Sequence, residues 1–315
     1  MYKPIRFVPS ETKVPFLKFH RLAFAVSIAL LLLSVALVGI FGLNYGIDFR
    51  GGTLIEVKTK SGPADIGALR NKLGGLGLGD VQIQEFGSPE EVLIRVEQQA
   101  GGDANQQDVI SIVKKTLGDS VEYRRVEVVG PTVSGELITS GAIAIFVAIL
   151  VVLIYIWFRF EWQFGVGAVI ALIHDVTLTL GVFAALQLEF NLSIVAAFLT
   201  IVGYSLNDTV VVYDRVRETL RKYKKMPLAD LLNLSINKTL SRTVLTSCTT
   251  LIALFALYFF GGEVIRGFTF AMIWGVLVGT YSSVFVASPL LLYLGVKRDW
   301  SKVTSDPKHE FKATP

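Results

Sequence analysis

The sequence predicts a polytopic α-helical membrane protein: six transmembrane helices, with an α+β domain inserted between the first and second. Three observations lead there. Apolar residues make up 52% of the chain and charged ones only 18%, a balance that excludes an ordinary soluble globule. Six apolar runs are each long enough to cross a bilayer. Lysines and arginines gather on alternate connections between those runs. The net charge of +4 is small, so its distribution carries more information than its size. The one cysteine, Cys248, falls in an apolar helix, which excludes a disulfide framework and suits a small packing residue.

Residues 1–21 are polar and basic, with Lys3, Arg6, Lys13, Lys18 and Arg21 against Glu11, and the apolar run 22–41 follows. A basic head before an apolar stretch also describes a signal peptide. This run has membrane thickness and no small-x-small cleavage site closes it, so it is read as an uncleaved first span. Residues 42–136 form the inserted domain. Within it 53–58, 81–86, 91–97 and 121–129 alternate apolar and polar as strands do, whereas 64–73 and 105–117 have helical periodicity. Pro63 and Asp65 suit a helix start, and Gly87-Ser-Pro a turn. Strand, helix, strand, strand, helix, strand is the split βαβ, ferredoxin-like βαββαβ order. Acidic residues outnumber basic ones in this domain.

Five further spans are expected at about 137–158, 164–186, 192–213, 240–260 and 267–294. The connection 214–239 is strongly basic, with Arg215, Arg217, Arg221, Lys222, Lys224 and Lys225, and the tail 295–315 is basic too. The opposing connections 187–191 and 261–266 are short and nearly uncharged. The positive-inside rule then puts both termini and the basic loop in the cytoplasm and residues 42–136 in the periplasm. Segment 227–241 is amphipathic, with Pro227 at its first turn, and is expected to lie along the membrane surface, where basic neighbours favour an anionic leaflet.

Asp208 lies well inside the fourth span, where a carboxylate costs about 2.5–3.5 kcal/mol on insertion scales. Helical spacing gives it a face shared with Tyr204, Ser205, Val212 and Arg215, with Asn207 beside it. Two readings compete. Asp208 is an adhesive hydrogen-bonded to a neighbouring span, or it is a proton carrier whose affinity a movable cation switches. The cation candidate is Arg242, which opens the fifth span. Alone it reads as a snorkelling interfacial arginine. It is followed, however, by Thr243, Thr246, Ser247, Thr249 and Thr250, a hydroxyl stripe suited to a file of waters. Asp175, beside His174 in the third span, is a candidate second relay. Adjacent residues point to different sides of a helix, so only one of the two can face Asp208, and Asp175 is preferred. The proton-coupling group is therefore Asp208, Arg242 and Asp175, with Tyr204, Ser205, Asn207, Thr243, Thr246, Ser247 and Thr250 as supporting path. Gly275, Gly279, Ser283 and Ala287 follow a small-xxx-small rhythm that serves helix contact.

The sequence lacks a Gly-Lys-Ser/Thr phosphate loop, paired zinc-spaced histidines and a Gly-x-Ser-x-Gly elbow, so neither enzyme activity nor a cofactor is expected, protons being the coupling ion. The glycine-rich run 74–79 reads as a turn.

Five stretches resemble the SecD/SecF family of the resistance-nodulation-division superfamily. They are 41–53 (Phe-Gly-Leu-Asn-Tyr-Gly-Ile-Asp-Phe-Arg-Gly-Gly-Thr), 129–135 (Val-Gly-Pro-Thr-Val-Ser-Gly), 207–217, 241–250 (Ser-Arg-Thr-Val-Leu-Thr-Ser-Cys-Thr-Thr) and 259–268 (Phe-Phe-Gly-Gly-Glu-Val-Ile-Arg-Gly-Phe). They occur in family order across residues 20–295; Tyr45 and Arg50 depart from the pattern. The resemblance implies half of a twelve-span unit completed by SecD in the bacterial inner membrane. That unit works beside the SecYEG channel, with YajC and YidC as further partners, and uses the proton gradient to assist late preprotein export. It implies contact with preprotein and lipid and none with nucleic acid. It also matches Asp208 to the family's membrane aspartate and Arg242 to its arginine on the next span. A passive assembly scaffold and a proton-coupled exporter of small molecules or lipids are the competing readings.

Overall fold

A computed structural model describes residues 12–99 and 103–296; the basic residues expected at 1–11 and beyond 296 lie outside them. Among the described residues, six stretches are helical, long and apolar enough to cross a membrane. The first contains α1 (His20–Phe41). The others are α5 (Pro131–Arg159), α6 (Trp162–Leu186), α7 (Leu192–Lys222), α8 (Leu228–Phe260) and a final span made of α9 (Arg266–Ser282) and α10 (Ser288–Leu294). A single π-helical turn, Ser283–Ala287, joins α9 to α10. Pro289, lacking an N–H, sits just past it and cannot complete the regular ladder there.

α6, α7 and α9 form the centre, while α1, α5 and α8 flank it with apolar side chains such as Leu33, Phe146 and Ile252 facing outward. The small residues of the last span bring α9 against α7. A Cβ at Gly275 would collide with Ile201, and one at Gly279 would meet the Ser205 Cβ at 3.0 Å.

Two sequence expectations need correction. The connection 214–239 is mostly helix, because α7 continues to Lys222 and α8 begins at Leu228. Segment 227–241 is accordingly the first part of α8 and not a separate surface helix. Its apolar face, Leu231, Leu232 and Ile236, is buried in one core with Tyr213, Val216 and Leu220 of α7. Protein, not lipid, covers the amphipathic stripe.

The inserted domain holds β2 (Gly52–Thr59), α3 (Ile66–Gly74), β3 (Val81–Phe86), β4 (Ser88–Val96), α4 (Asp103–Leu117) and β5 (Val121–Val129). The strands form one antiparallel sheet in the order β3-β4-β2-β5. Asp65 caps α3 by accepting from the Ala68 amide at 2.9 Å, and Gly87, at φ +83°, makes the β3–β4 turn. One sheet face carries Ile55, Val57, Val92, Ile94 and Val96, packed with Leu73, Val109 and Val113 of the two helices. Alternation sends Arg95 to the other face. Short elements tie that face to the bundle. β1 (Asn44–Tyr45) pairs in parallel with β6 (Glu189–Phe190), and α2 (Ile47–Arg50) follows β1 directly.

Candidate functional site

Both predicted membrane carboxylates are buried between helices, Asp208 at 6% exposure and Asp175 at 1%. Asp208 accepts from Thr243 Oγ1 of α8 at 2.7 Å through Oδ1 and from the Ser283 hydroxyl of the π turn through Oδ2. Asp175 accepts from Ser205 Oγ of α7 at 2.5 Å and from Ser282 Oγ of α9 at 2.8 Å. Ser205 lies one turn before Asp208, and Ser282 adjoins Ser283. Hydroxyls from α7, α8 and the last span thus surround the two acids and form a single polar layer at the centre of an apolar bundle. Such hydrogen bonds are what make a carboxylate tolerable away from water.

The expected Asp208–Arg242 ion pair is not made. Arg242 is exposed on the outer side of α8, and Thr243, the next residue, takes the inward position beside the carboxylate. The hydroxyl stripe divides by the same helical geometry. Thr243 and Ser247 point inward, where Ser247 contacts Thr280 Oγ1 at 2.8 Å and receives the Tyr204 hydroxyl at 3.4 Å. Thr246 and Thr249 are exposed and donate to carbonyls of their own helix, and Thr250 is half-buried. They form no single file. Asn207 is exposed although Asp208 beside it is not. Cys248 is exposed as well, and the packing role expected for it is not found.

Sequence reasoning missed Ser282, which carried no signal, and read Ser283 only as part of the small-residue rhythm of the last span. It also set His174 aside. That ring is 1% exposed, with Nδ1 at 2.9 Å from Asp175 Oδ1 and its face stacked on Tyr281 at 6.1 Å. The Tyr281 hydroxyl meets Ser27 of α1 at 3.1 Å. Because α6 is covered on two sides, adjacent residues 174 and 175 can both be buried.

A second cluster lies where the inserted domain meets α7. Arg95 Nη2 is 2.8 Å from Glu189 Oε2, with side chains 10% and 25% exposed. The Arg95 Nη1 contacts to Asn44 Oδ1 and Gln82 Oε1 are long, at 3.5 and 3.4 Å. Asp48 Oδ2 accepts from the Leu192 amide at 2.8 Å, capping the first turn of the helix that carries Asp208. Gly46 lets the chain pass close to Glu189, whose Oε1 would lie 2.6 Å from an added Cβ. Gly51 and Gly52 adopt φ +72° and +121°, and a Cβ on Gly52 would collide with the Val96 carbonyl. Burial pushes the Glu189 carboxyl above its ordinary value, Arg95 pulls it back, and Asp48 pushes it up.

Comparison with known proteins agrees with this layout. Residues 108–297 match the model for the protein export membrane protein SecD/SecF C-terminal region, and residues 36–62 match the SecD/SecF GG motif. A protein translocase subunit SecF from Rhodobacter capsulatus is 46% identical, with 98% of this chain and 96% of the relative covered. The SecF of Rickettsia rickettsii is also 46% identical, over 95% and 97%. The crystal structure of SecDF, a translocon-associated membrane protein from Thermus thermophilus, superposes with a TM-score of 0.83 at 35% identity over 93% of this chain. SecDF in a super-membrane-facing form gives 0.68 at 34% identity over 94%. This chain spans 40% of the length of either SecDF chain. The chain is a multi-pass membrane protein that belongs to the SecF branch of the SecD/SecF family of protein translocase subunits.

Proposed function

We propose that this chain is the proton-motive-force-coupled half of an export motor in the bacterial inner membrane, completed by SecD and acting beside SecYEG, with YajC and YidC as further partners. The observation that carries the reading is the position of Asp208. Its carboxylate is buried near the middle of α7, one residue from an exposed seam of small and polar residues. Ser193, Ala196, Thr200, Gly203 and Asn207 recur at alternating three- and four-residue spacing, all exposed, on a helix otherwise well covered. Such a stripe suits close packing against another membrane helix. Exposed Arg242, Thr246 and Thr249 extend the unpartnered polar surface onto α8. SecD closing over both faces would wall off the site and hold Arg242 near Asp208.

In this reading protonation of Asp208 weakens its hydrogen bonds to Thr243 and Ser283, and α7 shifts against α8 and the π turn. Asp48 and Glu189 carry that shift from the start of α7 to the inserted domain, a ferredoxin-like domain on the periplasmic side by the basic-loop asymmetry. The sheet order, with the first and third strands central, supports that domain assignment. Reconstituted with SecD and SecYEG, Asp208→Asn is expected to translocate preprotein at a rate that no longer responds to a proton gradient. A gradient response equal to wild type in Asp208→Asn overturns the proposal. A lower complex yield with undiminished response per complex favours the passive scaffold, in which the polar layer only glues helices.

A further inference from the structure

We propose that the furrow between α5 and α6, at the basic end of the bundle, binds one anionic phospholipid. Its acyl chain lies in the furrow and its phosphate at Arg217, Arg221 and Lys222. Only Phe160 and Glu161 separate the two helices, yet none of the most apolar stretch of α5 is buried, and the helices part to leave a cavity of about 510 Å³. Leu153, Val166 and Ile170 line it, with Trp157 and Trp162 largely exposed at its sides. Such a wall offers an acyl chain only apolar contact, and paired tryptophans are the side chains that settle at headgroup level.

The charges lie behind one ring. Phe160 is buried at 7% and lines the furrow, and the guanidinium groups of Arg159 and Arg217 sit over it at 5.0 and 5.4 Å. Stacking holds both arginines beside the furrow. Asp214 and Glu218 share the adjoining polar hollow, but Asp214 pairs with Arg159 at 2.7 Å and Glu218 with Arg215 at 2.5 Å. Arg217, Arg221 and Lys222 are left without a carboxylate partner among the described residues, and Glu161 at the furrow's mouth is one opposing charge. Arg217 Nη1 donates to the Arg159 carbonyl at 3.2 Å, and a phosphodiester supplies the anionic acceptor for which the three cations have no carboxylate. The apolar slot and the basic hollow, joined at Phe160, together match a lipid with an anionic headgroup.

The test places the full chain in nanodiscs containing brominated phosphatidylglycerol or brominated phosphatidylcholine and reads tryptophan fluorescence. Quenching is expected at about five- to tenfold lower mole fraction of the anionic lipid, the scale of roughly one net charge at a membrane surface. Trp157→Phe with Trp162→Phe should remove that difference. Arg221→Gln with Lys222→Gln, both exposed, should reduce the preference to about twofold or less. Gly165→Leu fills the furrow without touching a charge, since a Cβ there meets only Ile156 at 3.4 Å, and should weaken quenching by both lipids. Equal quenching by the two lipids, or unchanged quenching in Gly165→Leu, overturns the proposal. So does protection of both tryptophans on SecD binding, which would show that protein covers the furrow.

Discussion

Replacing Arg95 with methionine removes the cation from the clasp at the start of α7 while keeping most of the side chain's bulk. What remains is a carboxylate, Glu189, only 25% exposed and close to Asp48. Removing one partner of a buried ion pair costs ~3–5 kcal/mol, and the water admitted by partial exposure reduces that to about 2–3 kcal/mol here. The sign with pH follows from the direction of the Glu189 shift. Its carboxyl is raised, so the clasped state binds the proton more tightly than the open one. The contribution is fully present below the ordinary carboxylate range and is lost as pH rises through the raised value. Without Arg95 the rise is larger, so the Arg95→Met defect grows with pH. The assay is amide hydrogen exchange of the full chain in nanodiscs, read at Gly46 and Leu192, whose N–H groups bond to the Phe190 carbonyl and to Asp48. At mildly alkaline pH their exchange should accelerate about 30- to 150-fold. Glu189→Gln alone leaves the Arg95 guanidinium, 10% exposed, without its counter-charge, so it should also accelerate exchange but with no growth of the defect with pH. The double variant should recover most of the protection, because no charge is then buried unpaired. Wild-type exchange in Arg95→Met at every pH, or no recovery of protection in the double variant, refutes the reasoning.

Three further outcomes are expected. Gly52→Ala forces a Cβ toward the Val96 carbonyl at a φ that only glycine accepts comfortably, and should destabilise the inserted domain by about 1–3 kcal/mol in denaturant unfolding. Gly77→Ala, in open space at φ +69°, should lie at the lower end of that range. Ser283→Ala leaves Asp208 with Thr243 alone, and Thr243→Val leaves it with Ser283 alone. Each should lower thermal stability by ~1–3 kcal/mol, with a coupling between them in the double variant. Gly275→Ala overpacks α9 against Ile201 and should cost about 1–3 kcal/mol, read as a lower melting temperature that Ile201→Val partly restores.

The bundle was legible because twenty apolar residues in a row have few other uses, and the strands because alternation and turn residues coincide between Gly52 and Val129. Helix ends were harder. Charge marked 214–239 as a connection, but lysine and arginine are good helix formers and no breaker separates Tyr213 from Lys222, so α7 runs on. Asp208 and Asp175 stand out in any hydropathy reading, and both proved buried. Their partners did not stand out. Which of two adjacent residues, Arg242 or Thr243, faces the carboxylate depends on the rotation of α8 about its axis. That rotation is set by packing against α7, which one-dimensional periodicity resolves only to about a quarter turn. Ser283 looked like a packing residue because nothing in the sequence announces a π turn, which redirects it toward Asp208, and Ser282 beside it carried no signal.

The central claim is that the Asp208 carboxyl gains and loses a proton during the working cycle. Infrared difference spectroscopy of the carbonyl stretch, on the chain reconstituted with SecD and subjected to a pH jump, observes that step without depending on transport. The account predicts a protonated-carboxyl band in the wild type that is missing from Asp208→Asn. An identical difference spectrum in the two proteins would contradict it.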